Sequence, residues 1–192
     1  MKEDTLIGKH RPSVSDEEIM SRVQSGNLRQ LSVLFERYKK PIYGFFFRLT
    51  YNQGLSDDFT QTVFERIIRY RKSYNKEYSF RSWLFQIARN VHFDHFRHQK
   101  KILQPLTEQN QIPVLQTSVL AQIEHREQLQ NLEKALAMLT PAYREVLLLT
   151  RYQKLKYEEV GRIIGCSEGA VKLKVYRAIQ QLRRLFFKID TL

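Results

Sequence analysis

Residues 157–182 read YEEVGRIIGCSEGAVKLKVYRAIQQL and contain the clearest structural motif of the sequence. Its apolar residues recur at helical spacing and predict a short helix over about 157–164. Gly165 can end that helix by adopting a left-handed conformation. Ser167 is placed to cap a second helix, with Glu168 favourably charged in its first turn. Two helices joined by a tight glycine turn are typical of a helix-turn-helix motif.

The second helix of this motif has two chemically different faces. One face is aliphatic and comprises Val171, Val175, Ala178 and Leu182. The opposite face is basic, aromatic and amide-bearing, and comprises Leu173, Tyr176, Arg177, Gln180 and Arg184. Between Gly169 and Lys188 there are six Lys or Arg residues and no Asp or Glu. This pattern favours a helix that lies in the DNA major groove. An ordinary amphipathic surface helix is the alternative, and it leaves the absence of acids unexplained.

The overall charge points to a polyanionic partner. The chain has 192 residues, 32 Lys or Arg against 20 Asp or Glu, and a formal net charge of +12. Hydrophobic residues make up 42%, which is enough to build a core. The excess favours nucleic acid or an acidic membrane surface, with an incidental basic composition as the alternative.

Membrane and export signals, together with the number of cysteines, narrow the class of protein further. No apolar run approaches the ~20 residues of a membrane span, and residues 1–25 lack a signal-peptide core, so we expect a cytoplasmic protein. A single cysteine, Cys166, excludes an internal disulfide and a multi-cysteine metal site. We expect Cys166 to be a small buried residue rather than a redox switch.

Helical spacing also dominates the first half of the chain. Apolar residues from Leu31 to Leu49 predict a helix, with a kink or break near Lys40 because Pro41 follows. The residues Asn52, Gln53 and Gly54 form a turn signal, and the charged stretch 56–58 opens a second helix. After a polar loop from about 71 to 78, Ser79 is placed to cap a third helix. No segment alternates with period two, so we predict no sheet.

A change of composition separates two domains. Residues 102–122 contain Pro105, Pro113 and five glutamines and predict a linker. A helical pattern begins again at about Ile123, and Thr140 with Pro141 is a good helix start. The sequence therefore predicts an all-α chain of two small helical domains joined by a flexible linker. The predicted segments are a flexible N-terminus 1–14, a first domain 15–101, a linker 102–122 and a second domain 123–192.

The end of the first domain mixes cations with aromatic rings. Residues 61–101 contain ten Lys or Arg residues and three acids, and eight aromatic residues lie between Tyr70 and Phe96. Basic residues between aromatics suit a single nucleic-acid strand, because phosphates meet cations and unstacked bases meet rings. The alternative is that the rings are core. We favour the core for Trp83 and Phe93 and leave both readings open for Tyr74 and Tyr78.

Two other side-chain groupings do not support catalysis. The histidines of this segment are His92, His95 and His98. Their helical spacing separates the first from the last around the helix, and proximity to phosphates is a simpler account than a metal. Asp57 and Asp58 are adjacent and point in different directions, so they suit the charge at a helix start or a docking surface.

Four segments resemble one known protein family. They are SDDFTQTVF at 56–64, FRSWLFQIARN at 80–90, LTPAYREV at 139–146 with YEEVG at 157–161, and SEGAVKLKVYRA at 167–178. In order and on both sides of a linker, they resemble the extracytoplasmic-function (ECF) sigma factors of bacterial RNA polymerase. The resemblance covers about 28–101, as sigma region two, and about 132–185, as region four. It departs at Thr62, Thr140, Gly161, Ala170 and Leu173, and Leu173 suits contact with a thymine methyl group.

The resemblance implies a sigma factor that binds core RNA polymerase and starts transcription at specific promoters. It places Asp57, Asp58, Gln61 and Phe64 in the surface that docks on core polymerase. It places Tyr74, Tyr78, Asn90, Arg97, Lys100 and Lys101 at the minus-10 element. It places Ser167, Lys172, Leu173, Tyr176 and Arg177 at the minus-35 element.

The same resemblance implies binding rather than enzymatic function. The expected partners are the clamp and flap of core polymerase, promoter DNA and an anti-sigma factor. No cofactor, metal or small-molecule substrate is expected. Two other hypotheses stay open on the residues alone: a plain helix-turn-helix regulator, and a nuclease that uses acids and histidines.

Overall fold

The computed structural model describes residues 14–102 and 123–190, and its regular elements in that part of the chain are all helical. The α-helices are α1 (Asp16–Gln24), α2 (Leu31–Thr50), α3 (Gln53–Tyr70), α4 (Phe80–Ile102), α5 (Ile123–Ala137), α6 (Pro141–Leu147), α7 (Tyr157–Ile164) and α8 (Glu168–Asp190). Single 3-10 turns lie at Leu28–Gln30 and Arg71–Ser73, and a π-helical turn at Leu148–Tyr152 continues α6. The predicted all-α class is confirmed.

Helices α1 to α4 form an N-terminal bundle around an aromatic core. The Ser15 hydroxyl caps α1 by accepting from the Glu18 amide at 3.1 Å. Phe45, Phe46 and Phe85 are fully buried, and the ring of Phe45 meets the ring of Phe85 edge-on at 5.4 Å. Edge-on aromatic pairs add to the free energy of burial, so these rings fix how α2 and α4 cross.

Pro41 does not break α2, so of the predicted kink or break the break is wrong. The helix runs from Leu31 to Thr50 with Pro41 inside it. A proline inside a helix costs about 3 kcal/mol, because one backbone hydrogen bond is lost. The neighbouring positions Leu34, Tyr38 and Ile42 are buried. Burying each such side chain gains about 1.5–3 kcal/mol, so tertiary packing outweighs the cost.

The predicted turn at 52–54 is wrong, because these residues begin α3. The Asn52 side chain accepts from the Leu55 amide at 3.0 Å and caps the helix. Asparagine is favoured at turns and at helix caps for the same reason, since its side chain bonds nearby amides. Gly54 therefore lies in the first helical turn, and Asp57 and Asp58 come one turn later than predicted.

Helices α5 to α8 form a C-terminal bundle whose predicted helix-turn-helix is confirmed. Gly165 ends α7 with a φ of 74°, and the Ser167 hydroxyl accepts from the Ala170 amide at 3.2 Å. Gly161 lets the turn close: a Cβ there would lie 2.6 Å from the Cys166 carbonyl oxygen. At the start of α6 the predicted side-chain cap is wrong. The Thr140 hydroxyl makes no capping bond, and only its carbonyl accepts from the amides that follow.

The two bundles are in contact. Arg48 on α2 pairs with Glu133 on α5 at 2.8 Å, and Arg89 on α4 pairs with Glu145 on α6 at 3.0 Å. A third contact joins α4 to the C-terminal bundle, where Arg81 donates to Gln153 at 3.3 Å. Each pair is partly shielded from water, so salt screens it less than an exposed pair.

Arg144 is the most heavily bonded side chain of this contact. Its guanidinium donates to the carbonyl oxygens of Leu136 at 3.1 Å and Leu139 at 3.0 Å, and also to that of Ala137. It donates to the Leu49 carbonyl oxygen across the interface at 3.1 Å. Helix C-termini leave carbonyls without intrahelical partners, so one cation caps the ends of α5 and α2.

The remaining segments lie outside the described residues. They are 1–13 and 103–122, which contain nearly all of the predicted flexible N-terminus and linker, and the last two residues, 191–192. Ile102, predicted as the first linker residue, is the last residue of α4. Within the described part of the chain, no helix is long and apolar enough to span a membrane.

Replacing Arg144 with methionine tests its role as a double helix cap. Arg144→Met leaves buried carbonyl oxygens at the ends of α5 and α2 without donors. We expect a loss of about 3 kcal/mol or more in the free energy of unfolding, measured by urea denaturation with circular dichroism. Arg183→Met, at an exposed position of α8, is the matched control and should change stability by less than about 0.5 kcal/mol. An unchanged urea midpoint for Arg144→Met would contradict the assignment.

Candidate nucleic-acid interface

The outer face of α8 is exposed as the sequence predicts. Val171, Val175 and Ala178 are buried within the C-terminal bundle, in which α8 contacts α5, α6 and α7. On the opposite face Leu173 is 49% exposed and Tyr176 is 62% exposed. Because the helix is held along its aliphatic stripe, its apolar and basic outer residues are presented together and rigidly.

Charged side chains surround the exposed apolar residues of α8. Lys172 and Arg177 are exposed, and the Lys172 ammonium lies 2.8 Å from the Glu168 carboxylate. This hydrogen bond and the carboxylate charge raise the pKa of Lys172. Both groups are open to water, so a phosphate can replace the carboxylate at little cost. The Ser167 hydroxyl is used as the cap of α8 and binds the helix backbone.

Tyr74 lies inside the N-terminal bundle, although the sequence left its role open. Its side chain is 4% exposed, and its ring centre lies 5.2 Å from that of Trp83. The Tyr74 hydroxyl donates to the Tyr78 carbonyl oxygen at 2.9 Å. Burial, with smaller contributions from the Glu17 and Asp16 carboxylates, raises the pKa of Tyr74 to about 12. In this conformation Tyr74 shapes the loop before α4 and does not present its ring to a ligand.

Tyr78 and Ser79 lie at the surface of that loop, against the C-terminal bundle. The Tyr78 ring is 42% exposed, with the Arg162 guanidinium 4.8 Å from its centre. The Ser79 hydroxyl donates to the Glu159 carboxylate and also accepts from the Ser82 amide at 3.2 Å. The predicted capping of α4 by Ser79 is therefore confirmed. Two residues of α7 thus cover one end of the loop.

The exposed strip of α4 carries an amide, a ring and a cation. Asn90, Phe93 and Arg97 are exposed and follow one another at helical spacing on one side of α4. Phe93 is 48% exposed, so the predicted core position for this ring is wrong. Trp83, by contrast, is partly buried against the core, which confirms the prediction. The side chains of Lys100 and Lys101 lie outside the described residues.

A groove on the other side of the N-terminal bundle holds most of the residues expected to dock on polymerase. It has a volume of 630 Å³ and is lined by Phe35, Lys39, Lys40, Tyr43, Asp57, Thr60, Gln61, Phe64, Glu65 and Ile68. Its floor is aromatic, because the buried ring of Phe64 meets Phe35 edge-on at 4.8 Å. Asp57 and Gln61 are exposed at its rim, and Asp58 is exposed beside it. The groove combines an apolar floor with a charged rim, which is typical of a protein-binding surface.

The histidines of α4 serve as aromatic packing in this conformation. His95 lies edge-on to Phe59 at 4.9 Å, and His92 lies 4.8 Å from Phe96. Burial lowers the pKa of His92 to about 4, and the charges of His95, Arg89 and Arg144 act in the same direction. His92 is therefore neutral at pH 7. Among the described residues no cluster of metal-ligand type occurs, and the His98 side chain lies outside them.

A cleft between the bundles contains functional groups that the sequence analysis missed. Its volume is 290 Å³, and its lining includes Arg89, Phe93, Glu145 and Lys174. Burial raises the pKa of Glu145, while the charges of Arg89 and Lys174 oppose that shift. The sequence carries no signal for this contact, since Arg89 and Glu145 are 56 positions apart and belong to different motifs. The exposed ring of Phe35 in the groove was missed because it borders the buried stripe of α2.

Family matches fall on both bundles. Residues 34–102 match the family described as Sigma-70 region 2, and residues 129–182 match Sigma-70, region 4. The RNA polymerase sigma factor CarQ of Myxococcus xanthus is 29% identical over 171 residues, which are 89% of this chain and 97% of CarQ. The ECF RNA polymerase sigma factor SigC of Mycobacterium tuberculosis is 30% identical over 170 residues, 86% of this chain and 90% of SigC.

Solved structures show the same arrangement of helices. The sigma factor RpoE of Bartonella quintana, in complex with the anti-sigma factor NepR, is 25% identical with a TM-score of 0.68. That match covers 84% of this chain and 99% of RpoE. CnrH, in complex with the cytosolic domain of CnrY, also has a TM-score of 0.68 at 22% identity and shares the fold. It covers 90% of this chain and 97% of CnrH.

Removing a cation from the outer face of α8 tests this surface. We expect Arg177→Ala and Lys172→Ala each to weaken binding to duplex DNA and to lower the slope of log affinity against log salt by up to about one, as for a phosphate contact. Fluorescence anisotropy at several salt concentrations measures both quantities. Arg29→Ala, an exposed arginine of the N-terminal bundle, is the control. Unchanged affinity and slope would exclude the two residues from the interface.

Proposed function

Because this chain belongs to the ECF family of RNA polymerase sigma factors, which direct promoter-specific transcription initiation, we propose that its two bundles divide promoter recognition between them. The observation that carries the proposal is that each family match covers one bundle and contains that bundle's exposed candidate surface. The region-two match contains the groove and the exposed strip of α4. The region-four match contains the exposed outer face of α8.

The groove of the N-terminal bundle is the proposed docking surface for core polymerase. Its aromatic floor offers apolar area, and Asp57 with Gln61 at the rim offers polar selectivity. Phe64 contributes as the buried floor of the groove, and its neighbour Phe35 supplies the exposed ring. Complementary charge at such a rim sets the association rate and excludes wrong partners. The clamp of core polymerase is the proposed partner, and its flap is proposed to meet region four.

The strip of α4 and the loop before it are the proposed minus-10 surface. Asn90 is exposed and has hydrogen-bonding capacity for a base edge, and Arg97 is 73% exposed beside it. Tyr78 supplies an exposed ring, whereas Tyr74 acts through the shape of the loop. A pocket that accepts an unstacked base offsets the few kcal/mol that unstacking costs. Lys100 and Lys101 follow in the chain and are proposed to meet phosphates.

The outer face of α8 is the proposed minus-35 surface. Lys172 and Arg177 are proposed to meet phosphates, while Leu173 and Tyr176 face the base edges. Leu173 cannot donate a hydrogen bond, so apolar contact with a thymine methyl group is the recognition it supports. Ser167 positions the helix by capping it, with its N-terminus towards the DNA backbone.

The mode of action, the cellular location and the regulation of the chain complete the proposal. We propose that the chain acts by binding, without catalysis, cofactor or small-molecule substrate, and that it works in the cytoplasm beside RNA polymerase. An anti-sigma factor is a further proposed partner, because the RpoE relative was solved in complex with one.

Run-off transcription with core polymerase tests the proposed function. We expect the chain to direct initiation from a subset of a promoter library, and Asp57→Arg to weaken binding to core polymerase about ten-fold, since reversal turns attraction into repulsion. Glu18→Arg makes the same charge change on α1 and is the control. Tight binding to duplex DNA, with neither promoter-dependent transcripts nor core binding, would show a plain helix-turn-helix regulator instead.

Asn90→Ala separates promoter opening from duplex binding. We expect this variant to bind duplex DNA as the wild type does and to open the minus-10 region several-fold less, because a base contact made only after melting is lost. Permanganate reactivity of thymines in the complex with core polymerase measures opening. Gln128→Ala, an exposed amide on α5, is the control. Normal opening by Asn90→Ala would remove it from the base pocket.

A further inference from the structure

Two phenylalanine rings of α4 are exposed, Phe93 and Phe96, and of these two Phe93 is the one that lines the cleft between the bundles. Phe80 and Phe85 are fully buried, whereas Phe93 is 48% exposed and lines the cleft between the bundles. The Arg89 guanidinium lies over the Phe93 ring at 4.2 Å from its centre. An arginine over an exposed ring forms a planar, positively charged stacking surface.

This pair lies beside groups already suited to a nucleic-acid strand. Asn90 and Arg97 are exposed at positions −3 and +4 from Phe93, on the same side of α4. The nearby acid of α4, Asp94, forms ion pairs with Arg66 at 2.8 Å and with Arg97 at 3.7 Å. The strip therefore offers one ring and two guanidinium groups, with its own carboxylate largely neutralised.

Glu145 of the C-terminal bundle forms an ion pair with Arg89, the cation that lies over Phe93. The Arg89 Nε lies 3.0 Å from the Glu145 Oε1, and both side chains are largely shielded from water. Lys174 of α8 lines the same cleft and places a second cation near this carboxylate. A strand phosphate that approached Arg89 would compete with Glu145 for the same donor.

We propose that Arg89 and Phe93 form a stacking contact for single-stranded DNA, which Glu145 masks while the two bundles are in contact. This inference rests on the proposed function, because it adds one contact to the proposed minus-10 surface. A base of the strand stacks on Phe93, and the adjacent phosphate replaces Glu145 as the partner of Arg89. No sequence preference is needed, since every base has a face to stack.

The charge pattern selects a nucleic-acid strand over an acidic protein as the occupant. An acidic peptide would satisfy Arg89 but would leave the exposed ring of Phe93 without a matching partner. A single strand places phosphates and unstacked rings in alternation, as the strip places guanidinium groups and a ring. The groove of the same bundle provides a contrast: Lys39 lies over Phe35 at 5.4 Å, but Asp57 and Glu65 line that groove and would repel phosphates.

Anisotropy of a fluorescein-labelled oligothymidylate with the full chain, without polymerase, tests the proposal. We expect Phe93→Ala to weaken binding about five-fold or more and Phe93→Trp to restore it. Glu145→Gln should strengthen binding about two- to five-fold and should gain nothing in the Arg89→Gln background, because the masked cation is then absent. Phe35→Ala is the matched control for an exposed ring beneath a cation and should not weaken strand binding.

A second readout reports stacking itself. The emission of Phe93→Trp should be quenched when the strand binds, beyond any change seen for wild type, whose single tryptophan is Trp83. Wild-type affinity for Phe93→Ala, or no gain from Glu145→Gln, would overturn the proposal. If Arg97→Ala alone weakens strand binding, this inference fails and the minus-10 assignment stands. If the wild type neither binds the strand nor starts transcription at promoters, the proposed function itself fails.

Discussion

The placement of the two bundles depends on the guanidinium of Arg144. Its acceptors are carbonyl oxygens at the end of α2 and at the end of α5, and its own helix, α6, begins three residues earlier. Burial lowers the pKa of Arg144, which measures the cost of holding this cation away from water. A buried cation without acceptors is strongly unfavourable, so the arrangement persists only while both helix ends are present. One side chain thus caps two helix ends at once.

The charged pairs between the bundles have a different role from Arg144. The carboxylates of Glu133, Glu145 and Glu159, all from the C-terminal bundle, each hold a donor of the N-terminal bundle. Because these donors are partly shielded from water, each needs an acceptor, whichever group supplies it. A polyanion that offers equivalent acceptors can therefore displace them at small net cost. A chain with a formal charge of +12 is suited to such an exchange.

Local chemistry explains which parts of the fold could be predicted. The bounds of α7, the left-handed Gly165 and the Ser167 cap follow from residues within one turn of each other, so the sequence predicts them closely. Pro41 locally disfavours a helix, but burial of the side chains of α2 outweighs that preference. Residues 52–54 locally favour a turn, but Asn52 caps α3 there instead. The sequence predicts a core position for Phe93, whose ring instead lines a cleft together with residues of α6, more than 40 positions away. Contacts between distant segments leave no periodic trace, which is why the partners of Arg89 and Arg144 were not predicted.

The two proposed DNA surfaces differ in how firmly the fold holds them. The outer face of α8 is presented by a helix whose aliphatic stripe is buried within its own bundle, and Leu173 and Tyr176 are exposed while the two bundles are in contact. The strip of α4 is exposed as well, but Arg89, Tyr78 and Ser79 at its edge are contacted by the C-terminal bundle. The exposure of this face is therefore compatible with duplex recognition by α8 while the two bundles are in contact. In the proposal made above, stacking of a single strand at Arg89 replaces the contact of this guanidinium with Glu145. On that proposal, the contact of Arg89 with Glu145 and the binding of a melted strand compete for the same guanidinium.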